Sequence, residues 1–135
     1  MNRSILLSYQ LLTGFSDAAT GVMLIVAPAL TLALMHLQAD SGQLVYLSFV
    51  GAFVFSVGVS NLYGARVAWR GSAMRDLEMV WLLTAFTRAS VAVFVLGQVF
   101  EGALAAGWLS VAAFDGACVL VQALGLYKGW LQRVA

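Results

Sequence analysis

An all-α integral membrane protein, a four-helix bundle with both termini cytoplasmic, is the fold class this sequence predicts, and three observations lead there. Hydrophobic residues make up 62% of the chain and charged residues only 10%, with a mean hydropathy of +0.93, far from soluble averages. The 135 residues accommodate four spans of about 20 residues with short links and leave no room for a second domain. Finally, Arg3, Arg66, Arg70, Arg75, Lys128 and Arg133 fall at the amino terminus, one link and the carboxyl terminus, while the other two links carry no Lys or Arg. By the positive-inside rule this one-sided placement puts both termini and the 70–78 link inside.

The first span is expected over about 5–35. Tyr9, Gln10 and Asp17 interrupt what would be the apolar region of a secretory signal, and apolar character runs on to Met35, so the segment reads as a retained helix. Pro28 can kink or end it after Val26 or Ala27. Steps of three and four from Asp17 collect Gln10, Thr13, Gly14, Thr20, Gly21 and Leu24, a stripe suited to close helix contact, with Leu11, Phe15, Val22 and Ile25 opposite, facing lipid.

A polar link over 37–43 leads to a second span over about 44–69, where Gly51 and Gly58 recur at seven residues and Ser56, Ser60 and Gly64 form another small row. Such rows read first as packing, with backbone approach to a ligand as the alternative. Asn61 differs in kind, because an amide in lipid needs partners. The third span, about 79–100, lines up Thr84, Arg88, Val91, Val95 and Gln98; the fourth, about 103–127, lines up Asp115, Cys118, Gln122 and Gly125. Tyr63, Trp69, Trp81, Trp108, Tyr127 and Trp130 lie near span ends, as an aromatic belt requires, and read mostly as interfacial anchors. His36 reads as a surface loop residue.

The chemistry concentrates on Asp17, Arg88 and Asp115. A charged side chain near the bilayer centre costs about 2.5–3.5 kcal/mol on insertion scales, so it turns inward and is paired or solvated. At about 1.5 Å per residue, Asp17 and Asp115 lie roughly 18 Å and Arg88 about 12 Å from their span ends, so the three can meet at one level. Two carboxylates and one guanidinium leave excess negative charge, which a shared proton or a bound cation balances. Three classes of function follow. One is binding or exchange of a proton or small lipid-soluble ligand, with Asn61, Thr84, Thr20 and Gln122 as further ligand-binding residues. The second is an intramembrane enzyme in which Asp17, Arg88 and Asp115 are catalytic, performing acid–base chemistry such as epoxide opening or cyclisation on a hydrophobic substrate, with Phe86, Phe94 and Phe114 shielding a carbocation. The third is an accessory subunit whose cluster only holds helices together. Partners are accordingly membrane lipid, a hydrophobic small molecule, and a homo-oligomer or larger membrane complex.

Other classes are excluded by composition. The net charge is +1 and no basic run occurs, which argues against nucleic acid. One histidine and one cysteine give no haem ligand pair, internal disulfide or metal spacing, so neither cofactor nor metal is expected.

The layout, with Gly14 and Gly21 in the first span, Pro28 near its outer end and four short-linked helices over most of the chain, resembles the DoxX-like group of small bacterial membrane proteins. That resemblance implies a multi-pass four-helix bundle in a bacterial inner membrane, beside redox or lipid metabolism. It carries no functional residue of that group onto Asp17, Arg88 or Asp115.

The topology generates a test: reporter fusions after Asp40 and after Arg75 are expected on opposite sides of the membrane, and finding both on one side would end the four-span reading.

Overall fold

A computed structural model describes residues 2–37, 41–71 and 74–132, all of them in helices, turns and short links. The chain divides into two compact units, Asn2–Arg70 and the segment from Gly71 onward.

In the first unit α1 runs Arg3–Val26 and begins on a good cap, since Asn2 Oδ1 accepts from the Ile5 amide at 2.9 Å. It ends where the sequence predicts. Ala27, the residue before proline, leaves helical geometry at φ −142° and ψ 62°. Pro28 then opens a second, short helix, α2 (Pro28–Leu34), at the one position where a missing N–H costs nothing. The expected 5–35 span is therefore two helices. α2 closes with His36 at φ 57°, the His36 and Leu37 amides donating to Ala33 O and Leu32 O at 3.0 and 2.8 Å. This is a left-handed helix stop sealed by buried Leu32 and Leu37. His36 is exposed there, as a link residue should be. Of the polar link expected over 37–43, residues 38–40 lie outside the described residues, and 41–43 form a 3-10 turn leading into α3, Leu44–Arg70.

Glycine sets how closely α1 and α3 approach. A Cβ built on Gly21 would lie 2.4 Å from Phe55 N, and one on Gly58 would lie 2.3 Å from Ala18 N, so backbone meets backbone at both points. The small-residue stripe is thus packing. Leu6, Gln10, Thr13, Gly14, Asp17, Gly21 and Leu24 form the buried face of α1, whereas Leu11, Phe15, Val22 and Ile25 are exposed. Ser56 and Ser60 do not join the seam; their hydroxyls donate back to Ala52 O and Ser56 O, each at 2.8 Å. At the far end of the pair, Arg3 donates to Ala68 O at 3.0 Å and also to Trp69 O. A cation thereby satisfies carbonyls left open at the carboxyl end of α3.

The second unit is α4 (Met74–Phe100), a 3-10 turn (Ala106–Trp108) and α5 (Leu109–Tyr127). Here two expected boundaries are corrected. α4 starts at Met74 rather than at 79, because Arg75, Asp76 and Glu78 extend the helix as a charged first turn, with Asp76 placed favourably for the helix dipole. Charge density mimicked a loop. α5 starts at Leu109 rather than 103, because α4 stops at Gly102 (φ 76°), where the Ala103 amide donates to Gln98 O at 2.9 Å.

Among the described residues, three helical stretches are long and apolar enough to cross a membrane: Ser41–Arg70, Arg75–Phe100 and Ala106–Tyr127. α1 is not among them. Its 24 residues reach about 36 Å, more than a core of about 30 Å, but Ser8, Tyr9, Gln10, Thr13, Ser16, Asp17 and Thr20 lower its hydropathy.

The tight seam makes a quantitative expectation. Gly21→Leu and Gly58→Leu should each destabilise the protein by about 1–3 kcal/mol or more, as overpacking against backbone does, whereas Gly97→Leu, which meets nothing within 4 Å, should be near neutral. Thermal melting in detergent ranks the three.

Candidate functional site

The α4/α5 pair brings four of the expected site residues together. Arg88 sits mid-helix in α4, 3% exposed, and its Nη1 donates to Asp115 Oδ1 of α5 at 2.5 Å, forming a salt bridge with a carboxylate whose side chain is 13% exposed. Charge-assisted bonds of this kind are the strong ones. The guanidinium carbon also lies 5.4 Å from the centroid of the Phe114 ring, within cation–π range.

One turn back along α4, Thr84 makes a second polar layer. Its hydroxyl donates to Val80 O at 2.7 Å and accepts from Gln122 Nε2 at 2.7 Å. With the Thr84 proton committed to its own helix, only the amide N–H₂ of Gln122 can face it, so the orientation of the amide is fixed. Gln122 is fully buried, and its Oε1 has no hydrogen-bond partner among the described residues. Cys118, one turn from both Asp115 and Gln122, is buried. Beyond Thr84, Trp81 is completely buried and fits because its neighbour is Gly125, where a Cβ would come within 2.4 Å of Trp81 Cζ3. The interfacial role expected of Trp81 is therefore corrected: it is core. Tyr63, Trp69 and Tyr127 are exposed, at 51%, 73% and 89%.

Two further expectations fail. Val91 is exposed and Ala92 takes its place in the buried stripe, since steps of three accumulate less rotation than a full turn and drift off the face. Phe86 and Phe94 are 74% and 63% exposed, so of the aromatic residues expected to shield a cation only Phe114 adjoins the charged pair, and its ring already faces Arg88. Gln98 is partly exposed and donates to Glu101 Oε2 at 3.4 Å.

The remaining expected residues belong to the α1/α3 pair. Asp17 is 6% exposed on the inner face of α1. Asn61 is fully buried in α3; its Nδ2 donates to Val57 O at 3.2 Å, and its Oδ1 has no partner among the described residues. Thr20 is only partly buried. Gln10, a stripe residue outside the expected site, is fully buried with neither amide atom hydrogen-bonded among the described residues. Its position seven residues before Asp17, on the same helical face, was the available signal. Among the described residues no group of three or more His, Cys, Asp or Glu is placed to hold a metal ion.

The fold and site together define an α-helical protein with, among the described residues, three candidate membrane spans and a buried arginine–aspartate pair. No family model, curated protein or solved structure matches the chain.

The pair itself is testable by a double-mutant cycle. Arg88→Met and Asp115→Asn should each cost about 3–5 kcal/mol by stranding a buried partner, and the double variant should lose clearly less than the sum. Strictly additive losses in detergent unfolding would show that the two do not act as a pair.

Proposed function

We propose that the protein is a small multi-pass protein of a bacterial inner membrane in which Asp17, Arg88 and Asp115 bind or exchange a proton or a small lipid-soluble ligand. The observation that carries this reading is the polar core of the α4/α5 pair: a buried ion pair next to a buried amide whose acceptor has no partner among the described residues. Ionisable groups at such depth mark proton relays and ligand paths. Asp17 supplies the second carboxylate of the proposal. By helical rise it lies about 21 Å from the start of α1, Arg88 about 21 Å from the start of α4 and Asp115 about 18 Å from the end of α5.

α1 is the fourth span of this reading. Its length suffices, Gln10, Thr13 and Asp17 lie on its buried face, and Leu11, Leu12, Phe15, Val22 and Ile25 are exposed on its outer side. Arg3, bonded to carbonyls at the end of α3, shares the basic end of that helix with Arg66 and Arg70, in keeping with cytoplasmic termini. The layout resemblance to DoxX-like proteins belongs to the same reading and brings no activity with it. An enzyme opening an epoxide or guiding a carbocation is less well supported, since Phe86 and Phe94 are exposed and only Phe114 adjoins Arg88.

Infrared difference spectra between acidic and alkaline pH, together with mass spectrometry of small molecules co-purifying with the protein, test the proposal. Wild type should show a titrating buried carboxyl or a retained apolar molecule. Asp17→Asn/Arg88→Met/Asp115→Asn should fold but lose that signal, because no unpaired charge is left behind, and Arg88→Lys should already weaken it by removing the planar fork. A triple variant that folds, shows no changed signal and restores a deletion strain would establish the accessory-scaffold role instead.

A further inference from the structure

The amino-terminal end of α4 carries a second feature, remote from Arg88. Arg75, Glu78, Met79 and Leu82 recur along one face of α4, and with Leu126 of α5 they line an open groove of about 460 Å³. Its wall is apolar and accessible, Met79 and Leu82 being 54% and 55% exposed. The charged groups stand at one end. Arg75 is exposed and forms no salt bridge among the described residues, and Glu78 uses Oε1 to accept from Gln132 Nε2 at 3.3 Å, leaving most of its acceptor capacity free.

The spacing suits a lipid. Arg75 to Glu78 covers about 4.5 Å of helix and Arg75 to Leu82 about 10 Å, against a headgroup layer of roughly 5–8 Å on each side of the hydrocarbon core. Charges thus fall at headgroup depth and the apolar wall at acyl depth. The charged residues lining the groove are one of each sign, Arg75 and Glu78, which suits a zwitterion better than an anion. We propose that the groove is a headgroup site for an aminophospholipid, with Arg75 on the phosphate, Glu78 on the primary ammonium, and Met79, Leu82 and Leu126 along the start of an acyl chain. The primary ammonium matters, because it donates N–H bonds to a carboxylate and a trimethylated one cannot.

Native mass spectrometry of the detergent-purified protein, offered equal amounts of phosphatidylethanolamine, phosphatidylcholine and phosphatidylglycerol with identical acyl chains, decides the matter. Wild type should retain phosphatidylethanolamine over each of the others by about threefold, as a single exposed charge contact supports. Glu78→Gln should abolish the preference over phosphatidylcholine, Arg75→Gln should lower retention of both zwitterions, and Lys128→Gln should leave the preference unchanged. Equal retention of the two zwitterions by wild type would overturn the Glu78 contact, and leading retention of phosphatidylglycerol would show a plain basic patch. Either result leaves the reading of Arg88 and Asp115 untouched, since both lie more than a turn beyond the groove.

Discussion

A guanidinium in the middle of an apolar helix is the constraint from which the α4/α5 pair follows. Arg88 sits mid-helix with apolar neighbours along most of α4, so an acceptor on the facing helix is what its charge requires when that face is buried. Asp115 is that acceptor, and the bond between them fixes which face of each helix is inward. Once that face is chosen, the other layers follow from the 3.6-residue period: Thr84 meets Gln122, and Trp81 fills the space above Gly125. Removing Gly125's small size or Arg88's charge would each break the same register from a different end.

The α1/α3 pair solves the same problem by other means. Lipid supplies no hydrophobic drive for helices to associate, so contact must come from close packing or from polar bonds. Gly21 and Gly58 supply the first, bringing backbones to a distance at which no Cβ fits, and this explains why Gly14 and Gly21 are conspicuous in the sequence. They record helix contact, so a resemblance carried by them speaks for architecture and says nothing about chemistry. Asp17 and Gln10 share the buried face with the glycines, away from the exposed Leu11, Phe15, Val22 and Ile25.

Periodicity and depth made most of this legible. Arg88 and Asp115 stood out because each is alone in an apolar run, and the glycine rows and Pro28 stood out because few residue types satisfy a close approach or a helix break. What failed depended on partners that a linear reading cannot supply. Trp81 occupies a span end, where an anchor belongs, and only the absence of a side chain at Gly125 makes a core pocket for it. Arg75, Asp76 and Glu78 read as a loop because charge ends a membrane span, yet charge does not end a helix, and α4 runs on through them. Val91 and Ala92 are adjacent, and drift of the stripe by one position decides between them.

Packing alone accounts for the ion pair but not for the Gln122 amide beside it. Two well-packed apolar side chains at positions 88 and 115 would hold α4 to α5 without the desolvation that two charges incur, often at equal or better stability. Gln122 sharpens the point. Its N–H₂ is bonded to Thr84, whose own proton is committed to Val80 O, so rotating the amide gains nothing and leaves the same need for a donor at Oε1. An unmet buried acceptor costs about 1–3 kcal/mol, and Gln10 and Asn61 add further unmet amide atoms among the described residues. Within the α4/α5 pair, a hydrogen-bond donor on a guest would give Gln122 Oε1 the partner that the described residues do not supply. The physical case for function therefore rests on the buried Arg88–Asp115 charges together with the Gln122 amide beside them, which the described residues leave incompletely bonded.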